Sequence, residues 1–158
     1  MFLWLGTLNI TGRLIAAAGL LVAVAQPATA QSSAPPQTRS ARPLEKTYWK
    51  AIELDGRPVP SAETTREVYI VLGGTGRVGG SDGCNRLIGS YELTGDAIKF
   101  GALAGTQMAC PNTADTERGL RKALSGASRW RIAGDRLELF DAGSSRLAQF
   151  EALEGHDR

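Results

Sequence analysis

Glycine and aspartate break the chain every few residues from Thr47 onward, at Asp55-Gly56, Gly73-Gly74-Thr75-Gly76, Gly95-Asp96, Gly134-Asp135 and Asp141 to Ser145. Such punctuation leaves strand-sized intervals and almost no room for helices. The intervals are Thr47–Leu54, Arg66–Leu72, Arg77–Gly80, Arg86–Leu93, Ala97–Phe100, Arg129–Ile132, Arg136–Phe140 and Arg146–Glu151. Within them apolar residues keep one parity: Val68, Ile70 and Leu72; Leu137 and Leu139; Ala148 and Phe150. A side-chain period of two with one apolar face marks half-buried antiparallel strands. Thr94-Gly95-Asp96 has the chemistry of a tight hairpin between two of these segments.

One segment breaks the rhythm. Asp115–Ser125 places Leu120, Ala123 and Leu124 at helical spacing, with Asp115 and Glu117 early, Arg121 and Lys122 late, and Asn112 or Thr113 available as a cap. The expectation is a mainly β fold, a small antiparallel barrel of about eight strands with one short α-helix. Closure suits a short strand-rich chain because it leaves no long open edge, and about eight strands enclose an interior that side chains fill. A β-sandwich is the alternative.

The first 45 residues read differently. Residues 14–25 form an unbroken apolar run preceded by Arg13 and followed by Gln26, Pro27 and Ala28-Thr29-Ala30, the plan of a signal peptide over residues 1–30 with cleavage between Ala30 and Gln31. A helix over that run spans about 18 Å against a hydrocarbon core of roughly 30 Å, so no stable membrane anchor is expected after cleavage. Residues 31–45, rich in proline and serine, are expected to be a disordered linker. The folded domain should cover residues 46–153, leaving 154–158 as a tail, with the product periplasmic or secreted. Lys and Arg number 18 against 16 Asp and Glu, without like-charge blocks, so the electrostatic footprint of a nucleic-acid binder is missing. The single histidine, His156, stands three residues from the C-terminus, which leaves little material for triads or histidine metal sites.

The segment Gly79–Cys110, GGSDGCNRLIGSYELTGDAIKFGALAGTQMAC, resembles the META domain of the HslJ heat-shock protein family. The elements that carry the resemblance are Gly83-Cys84-Asn85-Arg86, then Gly89 and Tyr91, a hairpin, and Thr106-Gln107-Met108-Ala109-Cys110. Trp49 with Asp55-Gly56, and Leu137-Glu138-Leu139 with Phe150, extend it to essentially the whole mature domain. The resemblance implies a lipocalin-topology barrel, a bacterial envelope protein, and links to heat and envelope stress and to novobiocin resistance, with no established reaction. A lipidation cysteine, present in the lipoprotein members, is missing here.

Cys84 and Cys110 are the two cysteines, and an even count in an exported chain argues for a disulfide. Two buried thiols or a redox pair are the alternatives; the spacing is unlike Cys-x-x-Cys, and two sulfurs alone leave a zinc shell half empty. No metal or other cofactor is expected. Gly74-Thr75-Gly76-Arg77-Val78-Gly79 fits G-x-G-x-x-G literally, but Gly80-Ser81-Asp82-Gly83 follows where a helix N-terminus would have to hold the pyrophosphate. Asn85 suits the satisfaction of backbone groups better than a ligand. Trp49, Trp130, Tyr48, Tyr69 and Tyr91 suit core filling, and Asp55, Asp82, Asp96, Asp135 and Asp141 all fall in turn contexts. No catalytic residue is expected. The chain reads as a monomeric, non-catalytic interaction module whose partner is an envelope protein, or alternatively as a barrel carrier of a small ligand.

Overall fold

The structure, a computed structural model, describes residues 41–60 and 66–153. The apolar run 14–25, the cleavage pair Ala30 and Gln31, most of the expected linker and the tail 154–158 lie outside the described residues. In chain order the elements are β1 (Tyr48–Leu54), β2 (Arg57–Pro58), β3 (Val68–Gly73), β4 (Arg77–Asp82), β5 (Arg86–Thr94), β6 (Ala97–Phe100), β7 (Ala104–Gly105), α1 (Ala114–Gly126), β8 (Arg129–Ala133), β9 (Arg136–Phe140) and β10 (Arg146–Ala152). The eight longer strands pair antiparallel in the order β10-β9-β8-β6-β5-β4-β3-β1, and β10 also pairs with β1. The sheet therefore closes on itself as an eight-stranded barrel, the architecture read from the strand count.

Parity decides what the barrel contains. Val68, Ile70 and Leu72 all point inward, as do Leu137 with Leu139 and Ala148 with Phe150, and all are buried. Trp49 has no exposed surface and donates its indole N–H to the Leu44 carbonyl at 2.9 Å, so a large ring fills the interior without an orphaned donor. Helix α1 buries Leu120, Ala123 and Leu124 and packs on β1, β4, β6, β9 and β10, strands from around the circumference, which places it across one end of the barrel. Each fully buried leucine of this kind contributes roughly 1.5–3 kcal/mol. The register slips between Ala51 and Glu53 where β1 closes on β10, and between Arg146 and Ala148 where β10 pairs with β9, irregularities of the kind that accompany local twist.

The structure differs from the sequence reading in four places. Two strands of two residues each, β2 and β7, escape a periodicity reading because neither is long enough to alternate. Pro58 lies in β2 at the edge of the sheet, where a residue without an N–H is tolerated. The tract 42–45, assigned by composition to the linker, is held on the barrel. Arg42 pairs with Asp135, Leu44 is buried, and Glu45 bridges to Leu72. Leu44 is the first large apolar side chain after the apolar run 14–25, and it lies against the core. Thr113 is the residue before α1, yet its hydroxyl does not cap the helix; it sits 2.6 Å from the Glu117 carboxylate and 3.1 Å from the Cys110 carbonyl. The expected late cations fall short of the last turn, because α1 runs on to Gly126, and they pair elsewhere: Arg121 toward Asp82 and Lys122 onto Asp55.

Candidate functional site

The family-motif residues form one cluster, built from the β4–β5 turn upward. Asp82, fully buried, accepts at Oδ1 from the backbone N–H of Cys84 at 3.1 Å and of Asn85 at 2.6 Å. That side chain closes the turn locally, an aspartate acting on the backbone just beyond it. Gly83 sits inside the turn at φ +98°, where an added Cβ would lie 3.3 Å from Val68 and 3.4 Å from Thr116. Conformation and space both select glycine there.

The turn is then fastened to the strand that follows the hairpin. Asn85 Oδ1 accepts from the Thr106 hydroxyl at 3.0 Å and from the Met108 N–H at 2.7 Å, while the Thr106 N–H donates to the Arg86 carbonyl at 3.1 Å and the Arg86 N–H to the Thr106 hydroxyl at 3.2 Å. Cys84 and Cys110 are joined as a disulfide, so the segment 104–110 is held covalently to the β4–β5 turn and by hydrogen bonds to β5. Gly89 completes the arrangement: a Cβ on it would lie 2.8 Å from Leu103 and 3.0 Å from the Ala102 carbonyl, because the chain between β6 and β7 crosses directly over it. Tyr91 points the other way, into the barrel, with its hydroxyl between the Glu45 carboxylate and the Gly73 carbonyl. Burial, and then the bond to Glu45, hold this phenol well above its ordinary range. Met108 stays exposed at its side chain; its backbone does the anchoring.

Chemically this cluster is a clamp. Asn85 accepts two bonds from the chain, Asp82 two, and both sulfurs are in the disulfide. Asp82 Oδ2 makes no hydrogen bond and faces the Arg121 guanidinium at 3.9 Å. Periodicity missed Asp82 because it was read as an ordinary turn aspartate; its place at the junction of β4 with α1 is a tertiary fact.

A second polar group lies on the outside of the barrel and was legible only as scattered charges. Glu138, 7% exposed, accepts from Arg131 at 3.0 and 2.6 Å, from Arg146 at 3.1 Å and from Gln149 at 3.3 Å. Arg146 also bonds Glu53, so the belt runs across β8, β9, β10 and β1. Burial raises the Glu138 pKa, but the bonds and charges of Arg131 and Arg146 outweigh it and hold the carboxyl below its usual range. Among the aromatics, Trp49 and Tyr91 are core; Tyr48 and Tyr69 instead stack on the outside with centroids 4.3 Å apart. Two clefts of about 510 Å³ open on the surface, one between β2 and α1, the other over Arg129, Arg131 and Phe140. The G-x-G-x-x-G run forms a turn into β4 with no helix after it, as its sequence context implied.

Comparison with known proteins agrees with this geometry. An NMR structure of a protein from Burkholderia xenovorans superimposes with a TM-score of 0.58 at 28% identity, covering 70% of this chain and 84% of that one. A second NMR structure is similar at a TM-score of 0.54 and 21% identity, over 68% of this chain and 89% of that one. A DUF4847 family protein from Bacteroides vulgatus shares the fold at a TM-score of 0.50 and 17% identity, over 68% and 93% of the two chains. No curated protein matches the chain. The META domain model matches residues 42–154, from the Arg42 anchor through the end of β10 and across the whole of the clamp, and the chain therefore belongs to the META domain family.

Proposed function

We propose that this META domain protein is an exported, non-catalytic module of the bacterial envelope that acts by binding, in the setting of envelope stress. The observation that carries the reading is the clamp: Asp82 Oδ1, Asn85 Oδ1 and both sulfurs are engaged by the chain's own backbone, the Thr106 hydroxyl and each other, which suits a rigid scaffold better than a reacting centre. The Cys84–Cys110 bond favours an oxidising compartment, in keeping with the leader-like N-terminus. Trp49, Ile70, Leu72, Ile98, Leu137, Leu139 and Phe150 fill the barrel from within, and this argues against a ligand carried in the interior.

The test is the intact mass of protein recovered from the envelope fraction, read with and without reductant. The expected product begins at Gln31 and is two hydrogens lighter before reduction. A full-length chain retained in the cytoplasm, or native protein in which both thiols alkylate without reductant, overturns the export reading. Turnover of any substrate by the mature protein, lost on replacing one residue, overturns the non-catalytic one.

A further inference from the structure

The cleft between β2 and α1 is separate from the clamp and from the filled interior. Its lining is apolar at Leu54, Pro58, Val59 and Pro60, and the helix wall is flat because Gly119 brings α1 so close to β1 that an added Cβ would lie 3.2 Å from Leu54. A concave, mostly apolar site of about 510 Å³ is of the size that takes one small molecule. The rim is charged, and its bookkeeping is uneven. Lys122 bonds both oxygens of Asp55 at 2.8 Å, and Arg118 bonds Asp115 at 2.8 Å, so each rim carboxylate already has its own cation. Arg57 is the third cation of this rim; its backbone pairs with Leu54 and its field reaches Asp55, yet among the described residues its side chain makes no hydrogen bond or ion pair.

We infer that this cleft binds a small organic anion: an apolar body of about two fused or linked rings lying on Leu54, Pro58 and Val59, with a single carboxylate or sulfonate held by Arg57. A cation would have to displace Lys122 or Arg118 from its carboxylate, and a neutral apolar compound would draw nothing from the solvated guanidinium. The anion adds a charge-assisted bond without breaking either pair. The inference does not rest on export or on stress, and its test is independent of both.

The test is fluorescence titration of the folded chain with 1-anilinonaphthalene-8-sulfonate, set against its uncharged relative N-phenyl-1-naphthylamine. One-site saturable binding of the sulfonate is expected, about tenfold tighter than that of the neutral probe. Arg57→Glu and Arg57→Gln, both changes at an exposed position, should erase that tenfold preference while leaving affinity for the neutral probe and the thermal midpoint unchanged. Amide chemical shifts on adding the sulfonate should move within Leu54–Val59 and Asn112–Lys122. The inference is overturned by absent saturation, by equal affinity for the two probes, by Arg57 variants that keep the preference, or by shifts centred on the Arg129–Phe140 face or around Ile88, an exposed apolar side chain of β5.

Discussion

At the scale of single residues, the motif positions divide into those chosen for backbone reasons and those chosen for one bond. Gly83 belongs to the first group. Gly83→Ala must place a Cβ at φ +98° and against Val68 and Thr116, so an expected loss of about 1–3 kcal/mol should appear as a lower urea midpoint with the slope unchanged. Tyr91 belongs to the second. Tyr91→Phe keeps the ring in the core but removes the hydroxyl from Glu45 and Gly73, an expected cost of about 1–2 kcal/mol at neutral pH. The folded state raises this pKa, so the contribution is complete below the unfolded value of about 10 and is lost as pH climbs above it toward the folded value. The stability gap between wild type and Tyr91→Phe should therefore narrow in alkaline urea titrations. A gap that stayed constant would mean the hydroxyl is not what the site holds. In the sequence, Gly83 and Tyr91 stood out through the family motif; what each one touches did not.

At the scale of elements, the outer belt ties the last strands of the barrel to the first. Glu138 alternates with Leu137 and Leu139 in β9, so parity sends it outward, yet Arg131, Arg146 and Gln149 on the adjoining strands cover it. Its folded pKa is depressed, so its stabilisation is present above the unfolded value of about 4.3 and is lost as pH falls through the folded value. Glu138→Gln should cost about 1–2 kcal/mol at pH 7, at the low end for such a pair because both guanidinium groups reach solvent. Measured by chemical denaturation, the difference should shrink below about pH 4; equal losses at pH 7 and pH 3 would show that shape, not charge, matters there. Alternation within β9 made the leucine face readable. The belt was not, since Glu53 and Arg146 are far apart in the chain and meet only because β10 closes on β1.

At the scale of the whole molecule, the disulfide joins cysteines 26 residues apart and encloses β5, β6 and β7. Closing a loop of that length removes about 3.5 kcal/mol of unfolded-chain entropy. Replacing Cys84 and Cys110 together by alanine should lower the thermal midpoint by roughly 15 °C while the far-ultraviolet circular dichroism of the folded protein stays β-rich. A shift of only a degree or two would assign the stability to the Asn85 and Asp82 bonds instead. The closed barrel and α1 were legible in advance because turn chemistry and side-chain parity are local properties, set by neighbours in the chain. So was the meeting of Leu120, Ala123 and Leu124 on one helix face. What the tertiary structure alone decided is everything that depends on distant segments arriving together. Leu44 became core where its carbonyl takes the indole N–H of Trp49. Gly89 had to lack a side chain because a later segment crosses it. Asp82 became a buried clamp and not a surface turn residue. The cleft between β2 and α1 exists only because Gly119 lets a helix settle against a strand more than sixty residues before it, and no periodicity in either element encodes that approach.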